Sequence, residues 1–268
     1  MLMLGEDLRL AAIYTLCQSS ATPTDTLRLL LRALAVLCNT TAGTQQLISL
    51  GGLDLIKRIL CFSSIACGVE AAGVLTQLTS PNRSLIKLST SIDIITARLL
   101  DIIDECSSGE SLLLCVAALA NLSMQSHSVA SVLYQHNAVK RLIAALSRPK
   151  CSTMFVQEQV VTVFSRMATQ DYEEVLIAQG AIPVLFSMLS IYDPVFAEYS
   201  RRIQYKAALC LGTISSKGVG LKAVHQNNGY SIISKTLQMQ NTAKTPVEQI
   251  CRTIKEKLEA KYELESAV

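Results

Sequence analysis

The sequence is poor in aromatic and charged side chains. It has no tryptophan, and aromatic residues make up 5% and charged residues 17% of the chain, whereas 50% of the residues are hydrophobic. An apolar chain with so few aromatic residues is typical of packed helices rich in leucine and alanine, rather than of a β-sandwich. It carries enough apolar side chains to bury a continuous core, which excludes a disordered chain.

The sequence also lacks the charge and the apolar runs that several classes of partner require. The formal net charge is +3, and no run of basic residues is longer than Arg201-Arg202, so we expect no nucleic-acid partner. The longest apolar stretch, Leu112 to Leu122, is about half of a bilayer crossing, which predicts no membrane insertion. Met1 to Leu4 is too short for a signal peptide and lacks a basic start. We therefore expect a cytoplasmic protein.

Motifs of catalysis are absent from the sequence. It contains no GxGxxG, GxxxxGK[ST], HExxH or GxSxG pattern, and its nine cysteines form no CxxC pair. An odd number of cysteines within helical patterns favours reduced, buried thiols. His127, His136 and His225 are not spaced to form a metal-binding face. We expect a protein that is not an enzyme and that holds no metal or cofactor.

The clearest structural unit is Ser111 to Leu146. Its first helix has apolar residues at steps of three and four: Leu112, Cys115, Val116, Leu119 and Leu122. A short second helix and a third helix at Asn137 to Leu146 follow within the unit. None of the three can bury its apolar face alone, which is the pattern of a helical repeat.

The same order of motifs recurs on both sides of this unit. Aligned to Asn121, the equivalent positions lie 38, 44, 45 and 47 residues apart, and they are Asn39, Gln77, Asn121, Arg166 and Thr213. We call these five the ruler positions. A small-residue break and an apolar helix recur downstream, at Gly51 to Leu60, Asn137 to Leu146, Gly180 to Leu189 and Asn228 to Leu237. The two motifs resemble the armadillo repeat, which reads AAxALxNLA and then GAIPxLVxLL, over roughly residues 7 to 240.

The resemblance implies an all-α, right-handed armadillo-repeat α-solenoid of about five repeats. We expect the array to occupy residues 1–245, with Glu6 to Cys17 as a partial N-terminal helix. Residues 246–264 are predicted to form a C-terminal capping helix, because Val247 to Leu264 carries one apolar stripe and a charged opposite side. The last groove-type helix is predicted at Ile203 to Ser215, with Gly218 and Gly220 breaking it before a further segment at Leu221 to His225.

In armadillo proteins the Asn of the first motif lines a concave groove and binds the backbone of an extended peptide. The resemblance therefore implies a peptide groove at Asn39, Gln77, Asn121, Arg166 and Thr213. The alternative is that these side chains only cap their own helices. The tryptophan that nuclear-import receptors carry one turn earlier is Ala35 and Ala117 here, which argues against import-signal binding. Groove-side charge is sparse, at Arg32, Arg166 and Arg202.

The chain ends with Glu265, Ser266, Ala267 and Val268, which match the C-terminal pattern that a PDZ groove accepts as an added strand. A pattern this short also arises by chance in a few per cent of termini. The prediction is a PDZ-binding tail at residues 265–268.

The divergent repeats, the missing tryptophans and the Glu-Ser-Ala-Val ending together are similar to the C-terminal armadillo region of the Inscuteable family. The resemblance implies an adaptor that links the Par3 polarity complex to LGN in spindle orientation and asymmetric cell division, at the cell cortex. The short helix with which that family grips LGN lies upstream of its repeats and has no counterpart here, so we expect the polarity-side contact only. Two alternatives stay open. A catenin-like or trafficking adaptor would bind a different peptide, and a regulatory arm of an enzyme would need a partner domain.

Overall fold

A computed structural model describes residues 2–80, 91–125, 127–239 and 245–266. Within these ranges all regular secondary structure is α-helical, as predicted. None of the helices found there is long and apolar enough to cross a membrane. The helices are α1 Leu2–Gln18, α2 Thr24–Leu37, α3 Thr41–Ser49, α4 Gly52–Phe62, α5 Ile65–Leu78, α6 Ile92–Glu105, α7 Gly109–Gln125, α8 Ser128–Gln135, α9 Ala138–Leu146, α10 Met154–Ala168, α11 Glu173–Ala178, α12 Ala181–Leu189, α13 Ala197–Ile214, α14 Gly218–Gln226, α15 Gly229–Met239 and α16 Pro246–Ser266.

The helices form two compact units. Unit 1 comprises Met1–His136 and Arg148–Cys151, and unit 2 comprises Asn137–Ser147 and Ser152–Val268. In unit 1, α2 packs on α5 and α5 packs on α7, while α1, α4 and α6 cover them. In unit 2, α10 packs on α13 and α13 on α16, covered by α9, α12 and α15. We call α2, α5, α7, α10 and α13 the inner helices, because the ruler positions lie on them or directly after them.

Four turns between helices have the same left-handed backbone. The residue before α4, α9, α12 and α15 has a positive φ in each case: Gly51 at 80°, Asn137 at 52°, Gly180 at 83° and Asn228 at 59°. Glycine adopts this conformation at little cost, and asparagine adopts it more readily than most other residues. The recurring break in the sequence is therefore a conformational requirement of each repeat.

The C-terminal helix packs as one more inner helix. Its apolar stripe is buried, and α16 packs on both α13 and α15. The stripe consists of Val247, Cys251, Ile254 and Leu258. The helix extends to Ser266, two residues beyond the predicted Leu264. Relative to α13, α16 occupies the place that α13 occupies relative to α10.

Two predictions about the region around α13 are wrong. The helix begins at Ala197 rather than Ile203, because the Asp193 carboxylate accepts hydrogen bonds from the backbone N–H groups of Val195 (2.8 Å) and Phe196 (3.1 Å) and ends the preceding loop. The break between α13 and α14 falls at residues 215–217, and Gly218 and Gly220 lie in the first turn of α14 instead. A Cβ on Gly220 would lie 1.8 Å from the Ile214 carbonyl oxygen. Glycine is needed there for close packing.

None of the nine cysteines forms a disulfide bond, and only Cys61 is partly exposed. Burial raises the pKa of Cys17 and of Cys251 to about 11. Burial also raises the pKa of Cys210. These thiols therefore stay protonated at neutral pH and pack as small apolar groups.

Candidate functional site

The inner helices present one recurring stripe of side chains. Counting back 11, 7 and 4 residues from each ruler position gives steps of four, three and four, which lie on one face of a helix. All twenty positions except Glu70 and Gly73 are at least partly exposed. The stripe comprises Arg28, Arg32, Ala35 and Asn39; Ala66, Glu70, Gly73 and Gln77; Glu110, Leu114, Ala117 and Asn121; Phe155, Gln159, Thr162 and Arg166; and Arg202, Lys206, Leu209 and Thr213.

In unit 1, Asn121 bonds to a neighbouring helix rather than to its own. Its side-chain amide donates a hydrogen bond to the Thr76 carbonyl oxygen of α5 (3.1 Å). Gln77 is half-buried beside it on α5, whereas Asn39 is exposed in the turn after α2. The α5 and α7 helices approach closely at Gly73, where a Cβ would lie 3.3 Å from Leu114. These contacts hold the Asn121 amide in one orientation. The alternative, in which this side chain only caps its own helix, does not account for a hydrogen bond to another helix.

A buried carboxylate organises the charged positions of unit 1. Glu70 is 4% exposed, and its carboxylate accepts a hydrogen bond from Arg32 Nε at 2.7 Å. Arg28 lies 4.0 Å from the same carboxylate, and Arg32 also lies 3.7 Å from Glu110. Arg32, predicted as groove-side charge, is therefore already compensated within the unit.

Unit 2 has a similar arrangement, except that the carboxylate lies on the earlier of the two helices and the cations lie on the later one. Glu158 on α10 is 1% exposed, and its carboxylate lies 2.5 Å from Arg202 and 3.1 Å from Lys206 on α13. Lys206 also donates to the Thr162 hydroxyl (2.7 Å). Neither glutamate was predicted from the sequence. The signal for them was a single acidic residue within an apolar helix, matched by two cations one turn apart on the adjacent inner helix.

A third buried carboxylate is paired within unit 2. Glu173 on α11 is 3% exposed and forms an ion pair with Lys217, which lies directly before α14. Hydrogen bonds to Glu173, and then to Asp171 at 3.2 Å, raise the pKa of Lys217. Short helices of successive repeats are thereby joined by charge as well as by apolar packing.

The two ruler positions of unit 2 differ in their surroundings. Arg166 is exposed in the last turn of α10 and forms no ion pair with the part of the chain that the structure describes. The Thr213 hydroxyl donates to the Leu209 carbonyl oxygen (3.0 Å), one turn back on α13. Thr213 also lines an open cleft of about 370 Å³ between α13 and α16, together with Leu209, Thr253 and Lys257.

An aromatic cluster lies at the N-terminal ends of α10 and α13. The ring of Phe155 makes edge-to-face contacts with Phe196 and Tyr199, at centroid distances of 5.3 and 4.8 Å. The Arg202 guanidinium lies 5.2 Å from the Tyr199 ring centroid. Phe196 remains 40% exposed. Aromatic and cationic side chains therefore share one accessible surface in unit 2.

The tail predicted to bind a PDZ domain is described only in part. Glu265 and Ser266 are the last residues of α16, and Ala267 and Val268 lie outside the described residues. Across the described ranges, no group of histidine, cysteine, aspartate and glutamate side chains is arranged to hold a metal ion.

Comparison with known families gives one match along most of the chain. Residues 3–238 match the family described as Protein inscuteable C-terminal. The chain belongs to this family. Two Inscuteable homologues support the assignment. The human protein is 31% and the mouse protein 32% identical over 197 residues, which is 69% of this chain and 34% of each homologue. The chain therefore spans about a third of the length of these relatives.

Solved structures confirm the armadillo-repeat fold of this Inscuteable-family chain. A designed armadillo repeat protein has a TM-score of 0.69 at 17% identity, covering 93% of this chain and 99% of that one. Another, solved in complex with the peptide (KR)4, has a TM-score of 0.69 at 18% identity with the same coverage. Armadillo proteins designed for modular peptide recognition score 0.71 at 16% identity, with 92% and 99% covered. Similarity at this level of identity establishes the fold alone.

Proposed function

We propose that the chain is a non-catalytic protein-interaction scaffold whose inner-helix stripes bind an extended segment of a partner. The family and the fold both support a scaffold of this kind. The observation that carries the peptide-binding proposal is the recurrence of accessible side chains at the same spacing on the inner helices of each unit. A regular array of this type matches the regular spacing of groups along an extended backbone, as repeat proteins use it.

The proposed binding residues are Asn39, Gln77 and Asn121 in unit 1 and, on a separate stripe, Arg166 and Thr213 in unit 2. Asn121 is the best prepared of them, since its bond to the Thr76 carbonyl fixes the amide plane before any ligand arrives. A fixed side chain loses less conformational entropy on binding than a mobile one. The amide retains an oxygen and a second N–H that make no bond within the described ranges.

The wider role that we propose is that of an Inscuteable-type adaptor at the cell cortex. It would contact Par3 in asymmetric cell division and spindle orientation, whereas contact with LGN would use a segment outside this chain. Glu265 to Val268 would dock a PDZ domain. Because α16 includes Ser266, its last turn would have to unwind to add a strand to the PDZ sheet.

Site-specific crosslinking tests the proposed surface. A photoreactive amino acid at position 166, or at position 39, should crosslink to purified Par3, because both side chains are exposed on the stripe. The same group at Lys222, exposed on α14, is the matched control and should not crosslink. Equal crosslinking from position 222 would refute the groove. A chain lacking residues 266–268 should no longer bind a purified PDZ domain. If Par3 crosslinking at position 166 is unchanged in that chain, the two partners use separate sites.

A further inference from the structure

We propose that the inner stripe of unit 2 selects an acidic peptide in which carboxylates alternate with aliphatic or aromatic side chains. This inference rests on the proposed function and names the chemistry of its ligand. It is carried by the charge balance and the exposed apolar surface of α10, α13 and α16.

The exposed face of α13 carries large apolar side chains next to polar and cationic ones. Arg202, Tyr205, Leu209 and Thr213 follow one another at steps of three, four and four residues, which places them on one face. Tyr205 is 41% and Leu209 37% exposed. Together with the aromatic cluster at the start of the helix, they form a continuous strip that can bury the side chains of an extended segment.

Cations outnumber carboxylates along this strip. Four cationic side chains lie along it, and they are Arg166, Arg202, Lys206 and Lys257. The carboxylate between α10 and α13, Glu158, is buried and already neutralised by two of them. Glu198 is exposed, but it lies one turn before Arg202, at the N-terminal end of α13. Arg166 and Lys257 form no ion pair with the described part of the chain, so their charges are available to a ligand.

Unit 1 provides the contrast. There Arg28 and Arg32 face Glu70 and Glu110, so cations and carboxylates on the stripe are equal in number. Charge selection is therefore a property of unit 2. A basic peptide such as (KR)4, which one designed armadillo protein holds, would meet repulsion on this surface.

The cleft between α13 and α16 gives the peptide a defined position. Its volume of about 370 Å³ is bounded by Leu209, Ile250 and Ile254, which accept an aliphatic side chain. Thr213, Thr253 and Lys257 form its polar edge. An aliphatic residue in the cleft would place a neighbouring carboxylate next to Lys257, whereas a neighbouring lysine would be repelled.

The test uses the full chain and three dye-labelled octapeptides, in which Glu-Leu, Gln-Leu or Lys-Leu is repeated four times. Fluorescence anisotropy should show the Glu-Leu peptide binding at least about tenfold more tightly than the Gln-Leu peptide, with the difference shrinking in high salt. Arg166→Glu and Lys257→Glu should each weaken binding of the Glu-Leu peptide at least about fivefold. Lys222→Glu makes the same charge change on α14 and should alter affinity less than about twofold.

Four results would overturn the inference. Equal affinity for the Gln-Leu and Glu-Leu peptides would remove charge selection while leaving peptide binding intact. Preference for the Lys-Leu peptide, or equal weakening by Lys222→Glu, would show that the named cations do not form the site. Failure of all three peptides would also refute it, whereas the Par3 crosslinks would still decide the proposed function separately.

Discussion

Replacing Arg148 with alanine should destabilise unit 1 by about 2–3 kcal/mol. The guanidinium donates to three carbonyl oxygens at the C-terminal end of α6: Ile103 (2.7 Å), Asp104 (2.8 Å) and Cys106 (2.5 Å). The last carbonyls of a helix have no partner within the helix, and the negative end of the helix dipole attracts a cation. Hydrogen bonds to charged groups contribute roughly 1.5–3 kcal/mol each.

The expected loss is smaller than three such bonds. The Asp104 carbonyl bond is exposed, so water can replace it, and only the other two are part-buried. Because these two bonds are only part-buried, solvent weakens them, and taking about 1–1.5 kcal/mol for each gives the stated range. For a unit of this size the loss corresponds to a fall in Tm of roughly 5–10 °C.

Urea denaturation followed by circular dichroism measures the free energy of unfolding. Hydrogen exchange shows which helices are destabilised. Amides in the last turn of α6 should exchange faster in Arg148→Ala, while those of α12 in unit 2 should not. Arg148→Lys keeps the charge but cannot span three acceptors, so it should recover about half of the loss. Lys150→Ala removes an exposed cation two residues away and should cost less than about 0.5 kcal/mol. An Arg148→Ala protein within about 0.5 kcal/mol of the original, or a Lys150→Ala loss of the same size, would refute the reasoning.

Three further predictions can be checked with the same unfolding measurement. Arg202→Met combined with Lys206→Met leaves the buried Glu158 carboxylate unpaired and should cost about 3 kcal/mol, whereas Glu158→Met leaves two cations that can turn to water and should cost about 1–2 kcal/mol. Gly220→Ala should cost more than about 3 kcal/mol because its Cβ would meet the Ile214 carbonyl, whereas Gly180→Ala, with φ of 83° but open space around it, should cost about 1 kcal/mol. The free energy of unfolding should fall as pH rises above 9.0, the ordinary thiol pKa, because unfolded thiols then lose protons while Cys17 and Cys251 stay protonated up to about 11. A Cys17→Ala, Cys251→Ala protein should show a shallower fall.

Each of these predictions has a contrary result. Equal losses for Glu158→Met and for the double methionine variant would mean that burial of the carboxylate does not govern the ion pair. A Gly220→Ala protein no less stable than Gly180→Ala would show that α14 shifts freely away from α13. If the free energy of unfolding falls equally with pH in the Cys17→Ala, Cys251→Ala protein, other groups cause the loss of stability at alkaline pH.

Much of the fold followed from local patterns. Apolar steps of three and four gave the helices, and the recurring Gly or Asn before α4, α9, α12 and α15 marked a backbone conformation that few other residues adopt. The start of α13 was not predicted because the hydrogen bonds from the Val195 and Phe196 N–H groups to Asp193 cannot be read from the composition of the loop. Gly218 and Gly220 were expected to break the helix, because the need for glycine inside α14 becomes evident only when the helix packed against it is known.

The candidate site was predictable as a set of positions but not as a set of interactions. Periodicity placed Asn121 on the stripe, yet its bond to Thr76 joins residues 45 apart. The ion pairs of Glu70 and Glu158 could not be predicted from the repeat motif, because the cations that pair with them lie 38 to 48 residues away on another helix. Pairings of this kind depend on how one repeat stacks on the next, which no single repeat encodes.

The buried glutamates have a consequence for how such a chain can evolve. Each carboxylate is neutralised by a neighbouring repeat, as in Arg32 with Glu70 and Lys206 with Glu158, so neither side can drift alone without leaving an unbalanced charge inside the stack. Substitutions at the two positions of each pair should therefore covary among descendants of the same ancestor, at a separation of about one repeat. Duplicating or deleting a single repeat would separate such a pair, which makes the number of repeats harder to change than in arrays joined by apolar contacts only.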